Sequence, residues 1–156
     1  MDLESLPVRY IDKSRAFYEA QGYAQPYRWA IANDAPFSEL TTPVAEARVG
    51  VVTTAYPAGH SGPKRAYEEA TSPIPEAMNT DELSWDRDAT HTNDLGSFLP
   101  LAHLESMATA GDIGSLASRF FGVPTAYSHQ RSERDGERVS EWAKADDIDL
   151  MLLFPL

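Results

Sequence analysis

Apolar residues follow two different rhythms along this chain. The run Ala47-Arg48-Val49-Gly50-Val51-Val52-Thr53-Thr54-Ala55 is short, rich in β-branched residues and nearly continuous in apolar character. That is the pattern of a strand buried on both faces of an α/β sheet. Ile148-Asp149-Leu150-Met151-Leu152-Leu153-Phe154 repeats it close to the end. Elsewhere hydrophobic residues return at helical spacing. Residues 13–21 predict a helix with Asp12 as N-cap, Gly22 as left-handed terminator, and Phe17 and Tyr18 as its apolar side. Leu101, Leu104, Met107 and Ala108 predict a second, with Pro100 in its first turn and Gly111 closing it. Ile113, Leu116, Ala117 and Phe120 keep the spacing and predict a third, capped by Asp112 and stopped by Gly122 and Pro124. The charged run 131–138 reads as a solvated loop and helix start, leading to a helix with Val139, Trp142 and Ala143 inward.

The connections are less regular. Pro26, Pro36 and Pro43 keep residues 23–43 from forming any long element, and Tyr27, Trp29 and Phe37 are expected to pack onto a neighbour. Residues 56–63 hold two Gly and two Pro and read as a loop at the carboxyl end of the first strand, where ligand crevices of open α/β sheets lie. Residues 64–82 carry only a short helical hint around Tyr67, and 83–94 read as a strand ending in a polar loop around His91. Strands alternating with helices predict a three-layer α/β domain with a mostly parallel sheet, flavodoxin-like or Rossmann-like in outline. A chain of 156 residues fits one such domain, with an N-terminal helix and aromatic arm over 1–43 and a sheet-forming core over 44–156. A buried parallel strand normally hands over to a crossover helix, so an architecture that stops at Pro155-Leu156 reads as the front part of a longer domain, truncated after its last strand.

Charge narrows the partners. Lys and Arg number 13 against 24 Asp and Glu, a net charge of −11, which speaks against nucleic acid and anionic membranes. Neither a long apolar run nor a signal-peptide pattern occurs, so the expected location is cytoplasmic. The chain contains no cysteine, which removes disulfides, thiolate metal sites and a cysteine nucleophile. A homo-oligomer remains compatible with an apolar interface.

Among chemistry-bearing residues, His91 and Asp94 are candidates to position a substrate carboxylate or amine, to act as an acid–base pair, or to offer two metal ligands; the plainer reading is a loop histidine beside a capping aspartate. His60, in Gly59-His60-Ser61-Gly62, joins Thr53 and Thr54 as candidate lining of a small-molecule pocket. The spacing around Ser61 is one residue short of a nucleophile elbow. The four histidines, 60, 91, 103 and 129, form no His-Glu-x-x-His pattern, so no metal site is assigned. Gly111-Asp112-Ile113-Gly114 matches neither dinucleotide nor P-loop fingerprints. Asp146 and Asp147 read as a solvated turn.

Several segments in order resemble the selenoprotein B subunits of glycine, sarcosine and betaine reductase and their D-proline reductase relatives, short single-domain members included. They are Arg9-Tyr10-Ile11-Asp12-Lys13-Ser14-Arg15 with Phe17-Tyr18, the strand 47–55, His91 followed by Asp94, Phe98-Leu99-Pro100-Leu101 with Leu104, Gly111-Asp112-Ile113-Gly114-Ser115-Leu116-Ala117, and Asp147-Ile148-Asp149-Leu150-Met151-Leu152-Leu153. The resemblance implies an oxidoreductase that reductively cleaves a carbon–nitrogen bond in a small amino acid or amine. A selenol or thiol does the chemistry, with a disulfide as acceptor and with partner reductase subunits or a thiol–disulfide carrier. It also implies that the reacting selenocysteine or cysteine follows the last strand seen here. This chain departs from that pattern, since it holds no cysteine and ends at Leu156. Two expectations follow: a binding or partner module without a redox centre, or a selenocysteine codon directly after Leu156.

Overall fold

The computed structural model describes residues 9–23, 34, 38–81, 83, 88–125 and 128–156. The chain divides into two units, Met1–Phe37 and Ser38–Leu156, the division falling after Phe37 rather than after Pro43. In the first unit α1 (Tyr10–Ala20) starts before the expected position, so Asp12 lies within its first turn instead of capping it. There the carboxylate complements the helix dipole, with Oδ2 3.9 Å from Arg9 Nε. Gly22 is left-handed as expected, with φ 82°. Phe17 and Tyr18 are exposed and meet edge to face at 5.7 Å. Tyr27, Trp29 and Phe37 lie outside the described residues.

The second unit contains β1 (Arg48–Thr53), β2 (Tyr56–Pro57), β3 (Tyr67–Ala70), β4 (Met78–Asn79), α2 (Leu101–Ala110), β5 (Ser115–Leu116), β6 (Arg119–Gly122), α3 (His129–Ala145) and β7 (Leu150–Phe154). The continuous apolar run of β1 has its expected cause: every residue from Val49 to Thr53 is buried. β1 pairs in parallel with β7 from Val49↔Leu150 to Thr53↔Phe154. It also pairs in parallel with β5 through Val49↔Leu116 and with β6 through Val52↔Phe121. Because these pairings reuse residues already bound to β7, β5 and β6 occupy the opposite side of β1, one above the other. β3 extends that side antiparallel to β6, from Tyr67↔Gly122 to Ala70↔Arg119. β2 and β4 form a small antiparallel pair of their own.

The helix expected over 113–120 is therefore a strand in two pieces. Register with β1 advances by two extra residues between Leu116 and Phe121. Thr71 clamps the bulge that results, its amide bonding to the Ser118 carbonyl at 3.0 Å and its hydroxyl to the Ala117 carbonyl at 2.9 Å. The helical hint around Tyr67 is likewise an edge strand, β3, and the expected loop over 56–63 begins with β2. No strand occurs over 88–94, which forms turns; residues 84–87 are outside the description. The charged run 131–138 lies within α3 itself, which is capped by the Ser128 hydroxyl.

Helices cover both faces. Val49, Val51 and Phe120 pack with Leu101 and Leu104 of α2, and with Phe98, Leu99 and Ile113. α2 ends on Gly111 in the left-handed conformation. On the other face Trp142 of α3 stacks on Phe121 with ring centroids 5.5 Å apart. The result is an α/β architecture with a mixed, mostly parallel sheet.

Candidate functional site

β1 has its two parallel neighbours reached by connections on opposite faces: the one containing α2 leads to β5 and β6, and α3 leads from β6 to β7. The carboxyl ends of β1 and β7 therefore flank a topological switch point, the place where open α/β sheets take their ligands. Thr53 and Thr54 leave β1 there. The Thr53 hydroxyl is fully buried and accepts from the Ala55 amide at 3.2 Å, so it turns the chain and presents nothing outward. The half-buried Thr54 hydroxyl accepts from the Leu156 amide at 2.9 Å. That bond joins the segment after β7 to the end of β1 across the switch point.

Two tyrosines organise the neighbouring loop. Tyr67 donates to the Ala55 carbonyl and Tyr56 to the Arg65 carbonyl, each at 2.6 Å, and their rings lie 5.0 Å apart. The Tyr67 ring fits only because residue 122 is glycine; a Cβ at that position would overlap it. Burial pushes the Tyr56 hydroxyl up to about 12 and the Tyr67 hydroxyl higher still. At neutral pH both are donors and neither is a base. His60 is exposed and lies against the Tyr56 ring with centroids 4.7 Å apart.

His91 and Asp94 sit in a separate turn and make their hydrogen bonds within it. His91 Nδ1 accepts from the Asn93 amide at 3.4 Å, and Asp94 Oδ1 accepts from the Gly96 amide at 2.9 Å, capping the helical turn Leu95–Ser97. The structure thus brings Thr54 to the terminal segment and His60 to the tyrosines. It leaves His91 and Asp94 among their own turn.

A cavity of about 440 Å³ opens on the α3 face at the same end of the sheet. Val52, Val123, Pro124, Val139, Met151 and Leu153 make it largely apolar, and Asp135 lies at its edge. Its size is that of small-molecule sites. Neither the two tyrosines nor this cavity was expected. The Tyr56 and Tyr67 hydroxyls bind backbone carbonyls, which no side-chain motif announces. The cavity lining comes from β1, the segment after β6, α3 and β7, and no pattern within any one of them marks it.

Among the described residues no group of three or more His, Asp or Glu could hold a metal ion, and no helix is long and apolar enough to cross a membrane. No family model, no curated protein and no solved structure matches the chain.

Proposed function

We propose that the carboxyl end of this sheet is the substrate end of a reductase of the glycine, sarcosine, betaine and D-proline reductase selenoprotein B type, acting on a carbon–nitrogen bond of a small amino acid or amine. The observation that carries the reading is the hydrogen bond from the Leu156 amide to the Thr54 hydroxyl. It ties the residues that follow β7 to the switch point, which is where the resemblance puts a selenol or thiol. The adjoining apolar cavity suits the carbon skeleton of a small substrate. Net cleavage replaces C–N by C–H and N–H. It consumes two electrons and two protons, which a partner dithiol supplies as it becomes a disulfide. Thr54 and His60 are assigned the substrate end of the crevice, with the buried Thr53 hydroxyl turning the chain beneath them; proton delivery by His91 with Asp94 requires their separate turn to approach the departing amine. A selenolate or thiolate at that place gains from nearby backbone amides, as the reactive form is the anion.

The absence of cysteine from these residues favours a second reading, a small-molecule-binding or partner-subunit module without redox chemistry. One experiment separates the two: determine the codon after Leu156 and the intact mass of the protein from its native source, before and after iodoacetamide. The reductase reading expects a mass above 17.2 kDa, one reactive selenol or thiol, and dithiol-dependent release of amine. A native mass of 17.2 kDa with no alkylation overturns it in favour of the binding module.

A further inference from the structure

A second cavity, of about 490 Å³, lies between residues 63–66 and the first half of α3. We infer that it binds a phosphate-bearing small molecule, a phosphate ester or polyphosphate, independently of any redox chemistry. In a chain whose acids outnumber its bases by 24 to 13, five of the bases, Lys64, Arg65, Arg131, Arg134 and Arg138, line this one cavity with Asp135 as the single acid. Arg131, Arg134 and Arg138 recur at helical spacing and share one side of α3. Arg134 and Arg138 stand four residues apart, where like charges repel. Among the described residues no carboxylate pairs with either of them, or with Arg65. Arg65, Arg134 and Arg138 thus keep their guanidinium groups free of an ion-paired carboxylate, which is what a site for an external anion requires.

The cluster is held in place. Arg131 donates from Nη2 to the Lys64 carbonyl, pinning α3 to the opposite wall, and its Nε is 3.7 Å from Asp135 Oδ2. That oxygen is buried and has no hydrogen-bond partner, so its charge is directed at Arg131 from beneath. The Arg138 guanidinium lies 5.8 Å from the Trp142 ring centroid and the Lys64 ammonium 5.2 Å from that of Tyr56. The first turn of α3 adds the partial positive charge of a helix N-terminus. Ala66 precedes Tyr67, which pairs with Gly122 at the carboxyl end of β6, so the cavity opens at the ligand-binding end of the sheet.

Four guanidinium forks and one ammonium match a multiply charged phosphate group, whereas a single carboxylate occupies one fork. No glycine-rich loop is needed, because side chains take the place of backbone amides. The volume falls in the range of small-molecule sites.

The test is calorimetric titration of the whole chain with inorganic pyrophosphate at two salt concentrations, alongside the variants R134Q/R138Q, R65Q and K144Q, the last removing a charge from the far end of the same helix. Saturable binding that weakens with salt is expected. R134Q/R138Q should lower the affinity by about tenfold or more, and K144Q should change it by less than about twofold. R65Q lies on the other wall and should weaken binding even if the helix variant folds poorly. No saturable binding, or equal losses in K144Q and R134Q/R138Q, overturns the proposal. Tighter binding of a hexaglutamate peptide than of pyrophosphate also overturns it, assigning the cluster to an acidic protein segment.

Discussion

At the amino ends of the parallel strands, Arg119 grips both oxygens of Asp146, at 3.0 Å from Nε and 2.6 Å from Nη2, and its Nη1 meets Glu68. Arg48 donates from Nη1 to the Asp146 carbonyl at 2.7 Å and from its amide to Asp149 at 2.8 Å, while Thr42 supplies Asp149 with a further bond at 3.0 Å. Asp146 is no simple solvated turn; it is the hub that ties β1, β6 and the entry to β7. The carboxyl ends are closed by neutral hydroxyls instead, and beside them stand two cavities, one of them lined by Arg65, Arg131, Arg134 and Arg138. One end uses its charges on itself, and the other leaves them for a ligand. Stability and binding thus have separate addresses, which mutations can test.

The largest effect is expected at Gly122, where alanine forces the Tyr67 ring off β6; overpacking of this kind costs about 1–3 kcal/mol, read as a lower urea midpoint with pyrophosphate affinity falling as well. R119M should cost about 1–2 kcal/mol by breaking hydrogen bonds between charged groups, discounted for partial exposure. Its pyrophosphate affinity should stay unchanged, and a parallel loss of both would erase the distinction between the ends. The same contrast appears in pH. The Arg119 guanidinium holds the Asp146 carboxyl below the usual carboxylate range, and the Arg48 amide does the same for Asp149. Their folded-state values are depressed, so the stability they contribute is complete above the unfolded carboxylate value of about 3.9 and is lost as pH falls through it toward the folded values. The gap in melting temperature between wild type and R119M should therefore narrow from pH 7 toward about pH 3. Y67F leaves the Ala55 carbonyl without its donor, for about 1 kcal/mol. T54V should be the mildest, about 0.5–1 kcal/mol, visible chiefly as faster hydrogen exchange at the Leu156 amide.

β1, α2 and β7 were legible because pattern and punctuation agree there: short, nearly continuous apolar runs for the strands, and Pro100 and Gly111 bracketing the helix. β5 and β6 were not, for a specific reason. Two extra residues at the bulge stretch the interval between inward positions, so Ile113, Leu116, Ala117 and Phe120 fall at helical spacing although they belong to a loop and a broken strand. Only pairing with β1 resolves the ambiguity. β3 is exposed over Glu68–Ala70 and therefore has no apolar alternation to read. Of the candidate site, the place of Thr54 at the end of β1 followed from the strand pattern. The cationic cavity did not, since Arg131 meets Lys64 across 67 positions of sequence.

Thr54 and Leu156 are 102 residues apart, and every partner of β7 in the sheet is made long before it. Closing so large a loop is entropically slow, so the flank of β1 that receives β7 stays bare until the final strand arrives. During that interval the unpaired backbone edge of Val49–Thr53 presents a template to any other chain. An edge left bare in this way makes the order of synthesis, and not only the stability of the finished fold, a determinant of correct pairing.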